Sequence, residues 1–252
     1  MNIDKVYIIT LDHSEENKRS LVERLELLGV PNPTSYNIIE GVNGRELFST
    51  EAGRTELGVR FYDKWKLDGD VNGFWKRNVT VGEAGGMCSH IKVWEDAYEN
   101  GYENILILED DFEPLHRFYW EAFDELDGYD YDIAFLSRIL QDTVTHDIDV
   151  YDSNIGLKYW VNPGYSYQTH SYVLNKSGLR KLVENHLPIL KNNIVVSDEF
   201  LPAVYTIHPR EDMRSMYVRD MNAIAYKWRP VVQSRNEAQG NSQTEPIEGI
   251  DY

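Results

Sequence analysis

One cysteine, Cys88, stands in the whole 252-residue chain, so no intrachain disulfide can form and a cysteine-rich zinc site is excluded. A reducing compartment, the cytoplasm, is the expectation that follows. Basic residues are scarce as well: 25 Lys and Arg face 42 Asp and Glu, for a formal charge of −17. A phosphate backbone or an anionic bilayer demands a basic footprint, so nucleic acid and membrane surfaces are set aside as partners. Long apolar runs are missing too. No stretch approaches the roughly 18–20 apolar residues of a membrane span, so no transmembrane segment is expected. The opening, MNIDKVYIITLDHSEE, meets acids at Asp4 and Asp12, which leaves too short an apolar stretch for a signal peptide. No internal repeat is visible, and the length suits one large α/β domain.

What the chain does have is an abrupt junction, for residues 104–113 read NILILEDDFE. Residues 105–108 are aliphatic without polar alternation, the pattern of a strand covered on both faces. Glu109, Asp110 and Asp111 follow at its carboxyl end, where ligands bind in open α/β sheets. Three adjacent carboxylates repel one another unless a cation or basic groups neutralise them. A hard divalent ion that bridges protein carboxylates to substrate phosphates is the fitting partner. The alternative is a solvated acidic turn that only ends the strand, and the short motif by itself does not separate the two.

Residues 6–10 form a second buried-strand pattern running into LDHSEENKRSLVERLELLGVP. There Leu21, Val22, Leu25 and Leu28 recur at helical spacing, Ser14 can cap the start, and Gly29 with Pro31 stops the helix. A third strand is read at 35–40, ahead of the turn signal Gly41-Val42-Asn43-Gly44. Residues 45–80 carry Phe61, Tyr62, Trp65, Phe74 and Trp75 without regular periodicity. They are read as an insertion covering one side of the site, with most of the aromatics packed against the domain. Thr80-Val81-Gly82-Glu83 has the capping-box pattern and opens a helix to about residue 100. Further helices are expected over 116–126 and 177–185, strands at 133–136 and 171–174, and a surface loop or hairpin over 141–165. Strands alternating with helices favour a mainly parallel central sheet flanked by helices. One catalytic domain, 1–233, is expected, followed by a polar tail, 234–252, that is mobile or laid over the surface.

Four stretches, taken in order, resemble glycosyltransferase family 25, the group holding bacterial lipooligosaccharide galactosyltransferases and collagen hydroxylysine galactosyltransferases. They are VYIITLDHSEENKRSLVERLELLGV, VGEAGGMCSHIKVWEDAYENGYENILILEDDFEP, SYQTHSYVLNKSGLRKLVEN and VVSDEFLPAVY. The specific part is GE-x-G-x-x-x-SH-x-x-x-W placed just before LILEDD, while SDEFLP is closer to the collagen-modifying branch. The resemblance implies a GT-A fold, a UDP-sugar donor, usually UDP-galactose, Mn²⁺ as cofactor, and transfer with inversion. The acceptor would be a hydroxyl on a glycan, a lipooligosaccharide or a hydroxylysine-bearing protein. Two departures stand out: His13 occupies a position where family members often carry Arg, and the acidic motif is Glu109-Asp110-Asp111 and not a strict D-x-D.

On that reading Glu109 and Asp111 hold the metal against the donor diphosphate, where it acts as Lewis acid and template. Alternate strand residues share a face, so the two point one way while Asp110 points the other and meets the donor's ribose or sugar. The donor nucleotide touches Thr10 and Leu11, Arg19 is either a diphosphate or base contact or an exposed helix charge, and Glu83 and His90 have a structural or donor-positioning role. Asp198 is the expected base that deprotonates the acceptor, with Glu199 the alternative and Ser197 the helix cap; acids are favoured in a first helical turn by the dipole alone. His170 and His208 are separate candidates for a third metal ligand. Two other readings remain open: a family member that binds donor or glycan without turnover, and a metal-dependent phosphohydrolase.

Overall fold

The computed structural model describes residues 2–31, 36–49, 55, 58–66, 75, 77–140 and 151–234. β1 (Lys5–Thr10) turns into α1 (Glu15–Leu28), whose start is capped by Ser14 Oγ accepting from the Asn17 amide. Gly29 ends that helix at φ 70°, a left-handed position that lacks a Cβ penalty only in glycine. β2 (Tyr36–Glu40) and a short α2 (Gly44–Ser49) follow, and then the long α3 (Val81–Glu99). β3 (Asn104–Glu109), β4 (Phe112–Pro114) and β5 (Ile133–Phe135) come next. A 3-10 segment, Trp120–Leu126, stands where a helix from residue 116 was expected.

β6 (Ile139–Leu140), β7 (Ser153–Asn154), β8 (Trp160–Asn162) and β9 (Ser166–Tyr167) are short, and β10 (Ser171–Asn175) is central. α4 (Lys176–Lys181) continues through a π turn, Leu182–His186, to Leu190, well past the expected end at 185. α5 (Ser197–Tyr205), α6 (Glu211–Met216), β11 (Ala223–Tyr226) and β12 (Val231–Gln233) complete the order. The tail expected from 234 lies outside the described residues beyond Ser234, as do 141–150 of the expected loop and Phe74 of the insertion.

Eight strands form one sheet in the order β2-β1-β3-β10-β5-β11-β8-β7. β1 pairs in parallel with β2 and β3, and β5 with β11, whereas β10 and β8 run against the rest. The α/β class of the sequence reading therefore holds, with mostly like-directed strands. Alternation along the central strands divides the core into two layers. Tyr7, Ile9, Ile105, Ile107 and Tyr172 pack with Met87, Trp94 and Phe200 from α3 and α5. Val6, Ile8, Leu106, Leu108 and Val173 pack with Leu21, Leu25 and Leu28 of α1 and with Phe123. Burial on both faces is why β3 shows no polar alternation. Tyr62, Trp65 and Trp75 of the insertion are buried in the α3 layer, the ordinary packing expected of them. Among the described residues no helix is long and apolar enough to cross a membrane.

The antiparallel insertion of β10 beside β3 matters most for the site. It lays the residues just ahead of β10 alongside the carboxyl end of β3, where the Glu109 amide donates to the His170 carbonyl at 3.0 Å.

Candidate functional site: an acidic centre joined by Thr169

The segment GEAGGMCSH at the head of α3 places the site from one side, and each of its distinctive residues has a physical task. Glu83 completes a capping box with Thr80 and is gripped by Arg77 through bonds of 2.7 and 2.6 Å. Gly85 lets the loop before α2 lie on the helix, for a Cβ there would stand 2.6 Å from the Val42 carbonyl oxygen and 2.7 Å from the Gly44 nitrogen. Ser89 Oγ accepts from the Val42 amide at 2.8 Å and donates to the Gly85 carbonyl at 2.8 Å. Replacing Gly85 with alanine is expected to cost about 1–3 kcal/mol by overpacking, read as a lower denaturation midpoint.

His90, buried in the same helix, reaches across to β3. Its Nε2 lies 3.1 Å from Glu109 Oε1 and its Nδ1 2.8 Å from the Tyr172 hydroxyl, which also accepts from Trp94 Nε1 at 3.0 Å. The tyrosine proton needs an acceptor, and Nδ1 supplies it, so the imidazole proton sits on Nε2 and is donated to Glu109. His90 therefore positions Glu109.

The three acids part company at the strand end. Strand geometry stops at Glu109, and Asp110 and Asp111 form a turn before β4. The alternation invoked to put Glu109 and Asp111 on one face thus does not extend to Asp111. Asp110 Oδ2 accepts from Thr10 Oγ1 at 2.6 Å, and the Asp110 amide donates to the Ile9 carbonyl at 2.9 Å. Arg24 Nη1 donates to the carbonyls of Asp110 and Phe112, at 2.7 and 2.9 Å. This is a basic clamp on the turn's backbone that periodicity in α1 did not reveal. Arg19 is exposed one turn earlier on that helix. Leu11 is half-buried beside Thr10, and His13 Nε2 is buried without a partner among the described residues.

Burial, then repulsion from Glu109 and Asp110, pushes the Asp111 carboxyl up to about 8. Its Oδ1 is buried without a hydrogen bond among the described residues. Burial opposes ionisation of Glu109 as well, but the hydrogen bonds it accepts from His90 and Thr169 hold it below the usual carboxylate range.

Thr169 ties this centre to the second acidic motif. Its hydroxyl donates to Glu109 Oε1 at 2.9 Å and lies 3.0 Å from Ser197 Oγ, while its amide donates to Asp198 Oδ1 at 3.1 Å. The Gln168 amide donates to the same oxygen at 3.0 Å, from a residue held at φ 79°. A non-glycine residue at such an angle carries strain that the surroundings must hold in place. Ser197 is the first residue of α5 and not its cap, which is Val196. Burial, then the charge of Glu109, pushes the Asp198 carboxyl up to about 7.

A match to the family model described as glycosyltransferase family 25, lipopolysaccharide biosynthesis protein, covers residues 3–201. The chain belongs to glycosyltransferase family 25. A family 25 member of Anopheles gambiae is 30% identical over 238 residues, covering 92% of this chain and 36% of the relative. Procollagen galactosyltransferase 1-B of Xenopus laevis is 29% identical over 232 residues, covering 89% of this chain and 35% of the relative. A Bos taurus protein named a probable inactive family 25 member 3 is 28% identical over 249 residues, covering 96% and 38%. The chain thus spans about a third of the length of these relatives.

Within this family 25 chain the second acid of SDEFLP is a packed, saturated group. Glu199 is 1% exposed; it accepts from the Tyr165 hydroxyl at 2.6 Å and from the Tyr167 hydroxyl, and His208 Nε2 lies 2.7 Å from its Oε2. His208 is thereby committed to Glu199 and stands apart from the β3 acids. Replacing Glu199 with alanine is expected to strand those partners at a cost of about 1–3 kcal/mol, checked by the urea midpoint.

The acids of the family 25 centre also bear on the expected metal. Among the described residues no three His, Cys, Asp or Glu side chains converge on one cation position. The orphaned Asp111 oxygen and the mutual repulsion around it nevertheless fit a divalent ion that takes the rest of its shell from a donor's phosphates and from water. His170 is fully buried, and that burial pushes it down to about 4.

Proposed function

We propose that this family 25 chain transfers a sugar, galactose foremost, from a UDP-sugar to a hydroxyl acceptor with inversion, on a GT-A-type fold, with Mn²⁺ as cofactor. The observation that carries the reading is Thr169, which joins Glu109 at the end of β3 to Asp198 of the second acidic motif. Asp111 and Glu109 would hold the ion, whose chemistry there is to neutralise the departing diphosphate. Thr10 and Asp110 line the donor side at the end of β1, and Arg24 fixes the turn that presents them.

Asp198 is the base. Two backbone amides fix its Oδ1, and Oδ2 makes neither of those bonds, so it can take the acceptor hydroxyl's proton as the oxygen attacks. A carboxyl near 7 is matched to proton transfer at neutral pH. Glu199, saturated by its neighbours, positions the helix start. The similarity to a procollagen galactosyltransferase supports galactose as the sugar and a hydroxylysine-bearing protein among the acceptors.

The similarity to a relative named probable inactive supports a second reading, donor binding without turnover. A donor panel with Mn²⁺ separates the two, scored by UDP release against hydroxylysine peptides, galactosides and glucosides. Acceptor-dependent release from UDP-galactose is the expected result; UDP binding without release in every pairing would establish the non-catalytic reading.

A further inference from the structure

An exposed aromatic surface stands at the same end of the sheet as the acids. β11 runs in the direction of β3, through the shared pairings with β5 and β10, so its last residue, Tyr226, emerges at the carboxyl end. Just beyond it Trp228 is 52% exposed, and beside it Tyr119 is 47% exposed. Tyr159 links them, with ring centroids 5.2 Å from Tyr119 and 6.0 Å from Trp228, while Tyr226 underlies Trp228 at 5.2 Å.

The rings are mounted on fixed backbone. Glu125 accepts the amides of Lys158 and Tyr159 at 3.0 and 2.9 Å, and the Lys227 amide donates to the Tyr159 carbonyl at 2.9 Å. Exposed rings held this rigidly form a preorganised contact surface, which loses little freedom on binding. Neighbours of Trp228 in the chain are tied to the acidic centre. Arg229, next to Trp228, donates to Gln168 Oε1 at 3.2 Å, and the Gln168 amide holds Asp198. Five residues on from Arg229, the Ser234 amide donates to the Asp111 carbonyl at 2.7 Å.

We infer that Tyr119 and Trp228, set in place by Tyr159 between them, form a subsite that stacks a neutral hexopyranose of a glycan acceptor, away from the sugar whose hydroxyl reacts. The C–H face of a pyranose lies flat on an aromatic ring. The chain's net charge of −17 disfavours an anionic glycan. The cations around the rings have neutral partners within the chain: Lys158 is seated over Tyr159 at 4.6 Å and donates to its hydroxyl, Lys227 Nζ is bound to the Leu157 carbonyl, and Arg229 donates to Gln168 Oε1. Glu121 and Glu125 stand on the same short segment as Tyr119 in a chain of net charge −17. The acceptor role rests on the transferase reading; the stacking does not.

The test is saturation-transfer NMR on the full chain with neutral galacto-, gluco- and manno-oligosaccharides, their sialylated counterparts and an unglycosylated lysine-rich peptide. Transfer to pyranose C–H protons of a neutral glycan is expected. It should weaken about tenfold or more in Trp228→Ala and in Tyr119→Ala, as loss of an aromatic anchor does. Mn²⁺-dependent UDP binding is measured on the same proteins and should be unchanged by either substitution. No transfer to any neutral glycan, transfer that both variants retain, or transfer to the peptide or sialylated glycans alone would overturn the subsite. Failure of the wild type to bind UDP would instead count against the transferase reading and leave the stacking result to stand.

Discussion

Replacing Asp198 with asparagine is expected to leave UDP binding intact and to cut acceptor-dependent UDP release by about 10²–10⁴-fold, the usual contribution of a positioned base. Asparagine keeps an oxygen for the two amides from Gln168 and Thr169, so the start of α5 should stay in place. Only the capacity to take a proton is lost. The same assignment fixes the pH dependence. With the carboxyl pushed up to about 7, the reactive ionised form is depleted below that value, so turnover should rise with pH through about 7 and then level. Unchanged release by the asparagine variant would remove Asp198 from the chemistry; a profile without that limb would part the titration from the step.

For Asp111 two effects of opposite sign are expected from Asp111→Asn. Metal-dependent UDP binding should fall at least as far as the ~10–100-fold loss in metal affinity seen when a mere outer partner is removed. Metal-free stability should rise. The folded carboxyl is pushed up to about 8, whereas an unfolded chain ionises it near the ordinary aspartate value of 3.8. The folded state therefore holds the proton over that interval, and wild-type stability without metal falls as pH climbs from the ordinary carboxylate range to about 8. The variant lacks this loss, so its midpoint at neutral pH should exceed the wild type's. Calorimetry with and without Mn²⁺, alongside UDP titration, reads both. A variant that bound UDP with unaltered metal dependence would remove Asp111 from the metal site.

Much of the frame was legible because local chemistry dictated it. Ser14 and Gly29 bracket α1, Thr80 and Glu83 open α3, and the aliphatic run of β3 ends in its acids. The joint between the motifs was not legible. Thr169 and Gln168 lie in irregular backbone, and their value comes from β10 running against β3, a pairing that periodicity cannot report. Arg24 escaped notice for a related reason. A helix pattern shows which face is apolar but not which cation reaches a carbonyl on another element, and so Arg19 was chosen instead. Glu199 illustrates the reverse. An acid in a first helical turn reads as exposed until Tyr165, Tyr167 and His208 are seen to enclose it.

Ser197 can donate to the Thr169 hydroxyl only because that hydroxyl gives its own proton to Glu109, so the contacts form a directional relay in which each bond polarises the next. Through the same threonine's amide, any displacement of Glu109 is felt at Asp198 within a single residue.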